Sequence, residues 1–298
     1  MLPTRRDFRF RLPPSRVRNW HARGAHVSHF FNALSVFFPV GERFFIASVR
    51  NYRERVDDVE LSAEIRAFIG QEAMHGREHE DYNRLLADAG MPAEALERAV
   101  ARALALLQDY APKSWQLSST IALEHFTAVL ADRLLADAAM LDGSQSQYRK
   151  LWLWHAIEET EHKAVAYDVW DQVMGQGVRA YALRSGGMVL TGAAFVALVA
   201  AFTAVMLAND PSLAGKRGGL AELSRFLVGR GGLIRSGLPA WLDYFRPSFH
   251  PWQHDNRDLL QRLNEVDPQP MPKAATATPR GKRATPQKPQ PKRMAQAA

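Results

Sequence analysis

Two Glu-x-x-His pairs, Glu72/His75 and Glu159/His162, constrain this chain more than any other feature. Residues three apart share a helix face, so each pair aims a carboxylate and an imidazole at one point. Each pair also follows a lone glutamate: Glu42 stands 30 residues before Glu72, and Glu124 stands 35 before Glu159. The apolar residues between these positions recur with a helical period, and no stretch alternates with the period of a strand. The pattern predicts helices over about 28–53, 61–89, 93–110, 115–141 and 145–174. The first is kinked or interrupted near Pro39-Val40-Gly41, and the second stops at Gly90 before Pro92.

The order Glu, Glu-x-x-His, Glu, Glu-x-x-His on long helices matches the ferritin-like carboxylate proteins. These place one glutamate from each of two helices and a Glu-x-x-His from each of the others around a metal pair. The expected fold is therefore all-α: a ferritin-like four-helix bundle over 27–178, with 93–110 as crossover helix and additional C-terminal helices over 179–266. Glu42, Glu72, His75, Glu124, Glu159 and His162 are the candidate ligands. At about 100° per residue, His155 falls within an arc of roughly 60° with Glu159 and His162, which makes it a candidate seventh ligand. His79 shares the arc of Glu72 and His75, as a ligand's partner or a core residue. Glu158 lies at the edge of its arc, Glu161 points away as a solvated charge, and His125 reads as structural. Four carboxylates balance two divalent cations, and oxygen plus imidazole without sulfur suits iron, with manganese as the alternative.

The chain has no cysteine, which excludes disulfides, thiolate metal sites and cysteine nucleophiles. Its net charge of +7 is concentrated at the ends. Arg5, Arg6, Arg9, Arg11, Arg16 and Arg18 lie in a proline-containing lead-in over 1–26. Arg280, Lys282, Arg283, Lys288, Lys292 and Arg293 lie in a tail, 267–298, too polar to bury a core and expected to be disordered. Thr4-Arg5-Arg6-Asp7-Phe8 looks like a twin-arginine signal, but no apolar stretch follows it, so the expected location is cytoplasmic. Residues 186–208 form a 23-residue stretch without charge. It reads as a spanning helix, a bundle helix or a membrane-lying segment. Arg179 and Arg184 before it, and Lys216, Arg217, Arg225, Arg230 and Arg235 after it, point to peripheral contact with an anionic membrane surface. No specific nucleic acid is expected.

The runs Phe38-Pro39-Val40-Gly41-Glu42-Arg43-Phe44-Phe45, Gln71-Glu72-Ala73-Met74-His75, Ala122-Leu123-Glu124-His125-Phe126-Thr127 and Trp154 to Lys163 resemble the bacterial family called predicted metal-dependent hydrolases. So does the run from Tyr244 to Trp252, and the resemblance covers about 5–260. It implies metal-dependent chemistry with no defined substrate. The spacing His155-x-x-x-Glu159-x-x-His162 also resembles the ligand pattern of the di-iron arylamine N-oxygenases, in which a third histidine joins the set.

Three functions are in view. The first is an O2-activating oxidoreductase on an organic, hydrophobic substrate, served by an electron donor. Glu42, His75 and His162 are then terminal ligands, the bridging candidates come from Glu72, Glu124 and Glu159, and His155 adds electron donation. The second is a hydrolase whose metals activate water. The third is a membrane-associated iron-binding protein that is not an enzyme.

Overall fold

The structure is a computed structural model that describes residues 1–213 and 218–266, and no strand occurs among them. Four long helices enclose the interior: α1 (Ala25–Arg50), α2 (Val59–Asp88), α4 (Lys113–Ala136) and α5 (Ser146–His162), with α3 (Ala93–Tyr110) crossing between the two halves. Contacts of α1 with α2, α4 with α5, α2 with α5 and α1 with α4 close the ring, giving the ferritin-like bundle with a crossover helix. Local chemistry sets the starts. Asp58 accepts from the amides of Glu60 and Leu61 at the head of α2, and Gln145 accepts from those of Gln147 and Tyr148 at the head of α5.

Pro39 lies inside α1, which runs through it as one element. A proline has no N–H for the carbonyl four residues back. That carbonyl, on Ser35, accepts instead from the Asn83 amide on α2 at 3.1 Å. The expected break is thus absorbed by a neighbouring side chain.

The helix expected over 145–174 is two helices, α5 and α6 (Val165–Met174), separated at Lys163-Ala164. No Gly or Pro marks the place. Lys163 is instead drawn onto the C-terminal segment, where its Nζ donates to the His254 carbonyl and to Asn256 Oδ1. Similarly, α4 stops at Ala136, short of the expected 141, where Asp137 caps a short turn over Ala138–Met140. Arg262 donates to the Leu134 and Leu135 carbonyls in the last turn of that helix.

The apolar stretch belongs to α7 (Val178–Ala208), followed by α8 (Gly218–Val228) and α9 (Leu233–Asp243). These pack back onto α1 and α4. The approach of α7 to α4 is close enough that a Cβ on Gly187 would lie 1.9 Å from Ser118 Oγ. Both α1 and α7 are long and apolar enough to cross a membrane, but the apolar window of α1 is 67% buried against 28% for α7. The first is a core helix; the second carries exposed Val189, Leu190 and Val196.

Two charge expectations change. Arg184 is buried, stacked over Tyr167, Tyr181, Tyr244 and Phe249, with its guanidinium donating to Tyr167 Oη and the Arg246 carbonyl. It is therefore a core residue and not a basic flank for lipid. The N-terminal lead-in lies across α2 and α5, where Arg6 pairs with Glu158 and Glu161, and Arg9 with Glu78. Lys216, Arg217 and 267–298 lie outside the described residues.

Candidate metal centre

All seven candidate ligands face one point inside the bundle, and all are buried. Glu42 comes from α1, Glu72 and His75 from α2, Glu124 from α4, and His155, Glu159 and His162 from α5. Three sets of potential ligand atoms lie within 4.8 Å of one another: Glu42/His75/His155, Glu72/His75/Glu159 and Glu72/Glu124/His162. Glu159 connects the outer two. Its Oε1 is 3.1 Å from His155 Nε2 and 3.5 Å from His75 Nδ1, and its Oε2 is 3.5 Å from His162 Nε2. Gly76 makes room for Glu42, since a Cβ there would meet Glu42 Oε2 at 3.0 Å.

The surrounding hydrogen bonds fix which imidazole nitrogens carry protons. Gln71 Nε2 donates to Glu161 Oε2 and to the Thr4 carbonyl, so Gln71 Oε1 is the acceptor for His162 Nδ1 at 2.9 Å. His162 Nε2 then presents a lone pair, 3.1 Å from Glu72 Oε1 and 3.6 Å from Glu124 Oε2. A second chain does the same for His155. Asn83 is oriented by the Ser35 carbonyl, and Ser35 Oγ donates to Asn83 Oδ1. Ser35 Oγ therefore accepts from His79 Nδ1, and His79 Nε2 accepts from His155 Nδ1 at 3.0 Å. This leaves the His155 Nε2 lone pair facing Glu159. Both nitrogens of His79 are occupied, so it positions His155 and is not itself a ligand.

Lone pairs aimed at carboxylate oxygens repel unless a cation stands between them. Both oxygens of Glu42, Glu72 and Glu124, both nitrogens of His75, and Nε2 of His155 and His162 are buried without a hydrogen-bond partner. The large majority of buried polar atoms are paired, so orphaned oxygens and nitrogens converging on one point from four helices fit a metal ion.

The electrostatics agree. Burial holds the Glu42, Glu72 and Glu124 carboxyls well above the usual range, and neighbouring carboxylates push the same way. Burial pushes Glu159 up as well, but positive charge and N–H donation from His162 and His155 outweigh it and leave its carboxyl well below; with those lone pairs turned inward, a cation would take over that part. Burial, helped by His155, holds His75 and His79 well below the imidazole range. Without a cation the site cannot keep all its carboxylates ionised.

Three contributors were not placed by spacing. Glu158 is fully buried: Oε2 lies 3.2 Å from His75 Nε2, and Oε1 accepts from Trp154 Nε1 and Arg6. Burial pushes its carboxyl up to about 8. Glu161, expected in solvent, is buried and accepts from Arg6, the Thr4 amide and Gln71. The N-terminal segment covers it, which helix angle alone does not reveal. Gln71 is the third. The available signal was α5 itself, because Leu151, Trp152, Leu153, Trp154, Ala156 and Ile157 leave it no polar face. A helix apolar all round is buried all round, its acids included. His125 stands apart, packed on Tyr244 and Phe249.

Fold and cluster define a helical-bundle protein with a buried carboxylate–imidazole metal-binding cluster. The chain belongs to the family described as predicted metal-dependent hydrolase, which it matches over residues 4–255. Comparison with curated proteins and with solved structures gave no match. Family membership makes this a metal-dependent enzyme and overturns the expectation of an O2-activating oxidoreductase. The ligand pattern behind that expectation is an arrangement of charge and lone pairs, which serves a Lewis acid equally well.

Proposed function

We propose that the chain is a hydrolase whose cluster holds two divalent metal ions, iron or manganese, and cleaves an ester or amide. The observation that carries this is the convergence of unpartnered buried oxygens and nitrogens on one point, in a chain whose family is described as hydrolytic. Four carboxylates would leave two divalent ions neutral overall, the condition for burying so much charge. Glu42, His75 and His155 would hold one ion, Glu72, Glu124 and His162 the other, and Glu159 would span both.

Bound there, a divalent ion supplies Lewis acidity and brings the pKa of water toward neutrality. The protein's part is to orient and to exclude. Gln71 and His79 hold the His162 and His155 rings with their lone pairs inward. Phe38, Phe68 and Trp154 pack against His155, His162 and His75 and keep bulk water off the cluster, which strengthens every charge interaction within. Glu42 and Glu124 each have two carboxylate oxygens without a hydrogen-bond partner, so with one oxygen on a metal the other would be open to take a proton. In the reaction the water oxygen bonds to the acyl carbon, the bond from that carbon to oxygen or nitrogen breaks, and the proton passes through such an oxygen to the leaving group.

Metal analysis joined to an ester assay tests this reading. About two ions per chain are expected, with p-nitrophenyl acetate hydrolysis lost on chelation and recovered on adding manganese or ferrous iron. Hydrolysis at full rate in metal-free protein would refute it.

A further inference from the structure

Two apolar cavities open on the α7 side of the bundle. The larger, about 770 Å³, lies between α4, α7, α8 and α9, with Phe126, Val196 and Trp241 among its walls. The second, about 340 Å³, lies between α1, α3, α4 and α7, walled by residues such as Phe37 and Leu198. Both volumes are in the range of small-molecule sites. Neither is lined by an acid, a lysine, an arginine or a histidine. A third space of about 30 Å³ lies directly against His155 and Glu159. It shares Leu34, Leu130 and Leu233 with the larger cavity, and Leu34, Phe38 and Thr127 with the second. Leu34 borders all three, so one layer of side chains separates the apolar space from the cluster.

We propose that these spaces form one tunnel for a long aliphatic acyl chain, whose ester, thioester or amide head lies beside His155 and Glu159. The head-group chemistry rests on the hydrolase reading; the chain-binding site does not. An uncharged hydrocarbon wall offers nothing to an ionic or sugar ligand and matches a methylene chain along its length. Exposed Val189 and Val196 on α7 form part of the open side of the larger cavity, where a chain enters. Adjacency to the cluster, through walls shared with the space beside His155 and Glu159, selects this occupant. A face for a membrane or for a second copy of the chain needs no space reaching His155.

The test is equilibrium binding of octanoate, dodecanoate and palmitate to the metal-loaded full chain. Affinity rises about fourfold per methylene until the tunnel is full. Ala193 lines the larger cavity and Ala194 the second, and both are exposed on α7. Ala193→Trp and Ala194→Trp lower palmitate affinity about tenfold or more. Ala201→Trp, on an exposed position that lines neither cavity, leaves it unchanged. The same two variants abolish the preference for p-nitrophenyl palmitate over the acetate. Palmitate binding blocked by these variants, with no ester hydrolysed, keeps the tunnel and removes the hydrolase. Acetate hydrolysis with no chain-length dependence in binding removes the tunnel alone. A concentration-dependent dimer, or binding to lipid vesicles, that Ala193→Trp abolishes in a protein that does not bind palmitate would give the groove to that partner and overturn the proposal.

Discussion

At the level of single residues, the centre is a set of groups unfavourable alone and complementary to a cation. This separates stability from metal content. Glu42→Gln and Glu159→Gln each replace a buried carboxyl, crowded by like charges or imidazole lone pairs, with a neutral amide of the same shape. Both variants are expected to bind less metal. Glu159→Gln falls furthest, toward one ion or none per chain, because its two oxygens face two ligand sets. In metal-free protein Glu42→Gln moves the other way and gains about 1–2 kcal/mol, since an unpartnered buried acid is removed. Metal analysis and thermal melting with and without chelator read both effects; equal destabilisation of apo and loaded protein would contradict the ligand assignment for Glu42. The seven converging residues were legible because helical spacing converts directly into direction. Gln71, Glu158 and Glu161 were not, because their roles depend on what lies over the helix flank.

Among the elements, the N-terminal segment was the least legible and is closely tied to the centre. Its arginines looked like a patch for acidic partners, yet Arg6 joins Glu158 and Glu161, which in turn touch His75 and Gln71. A charge run in sequence carries no record of which acids it meets. The end of α2 was readable from its stop signal at Gly90 before Pro92, whereas the α5–α6 break depends on Lys163 reaching the C-terminal segment. Arg6→Ala leaves two buried acids without their counter-charge, held only by neutral donors from Trp154, the Thr4 amide and Gln71. The Arg6 side chain keeps 14% of its exposure, so the expected loss is at the low end for a broken buried pair, about 3 kcal/mol. Arg6→Met combined with Glu158→Gln and Glu161→Gln should recover most of it. Denaturant midpoints for both variants decide the matter, and an Arg6→Ala midpoint equal to wild type would show that the strap does not hold the bundle.

For the molecule as a whole, acid stability reports how the lead-in, α1 and the C-terminal helices close together. His21 sits at that junction, stacked on Phe31 and edge-on to Phe226, with Nε2 bonded to the Met140 carbonyl. Burial pushes it down from 6.5 to about 4, the Met140 hydrogen bond opposing, with small opposed contributions from Arg23 and Glu222. The folded pKa lies below the unfolded one, so between those values the unfolded chain binds the extra proton. Stability is therefore complete above the unfolded value and is lost as pH falls toward the folded value, after which both states are protonated and no further loss follows. The loss is on the order of 2–3 kcal/mol by about pH 4.5. His21→Phe keeps the ring packing and removes the titration. Although its stability at neutral pH drops through the orphaned Met140 carbonyl, the gap between variant and wild type should narrow by about that amount on acidification. Comparing the two chains cancels the carboxylates of the metal centre, which titrate in both. Denaturant melts at about pH 7.5 and about pH 4.5 give the double difference, and a gap that stays constant would mean His21 is not held neutral in the folded protein.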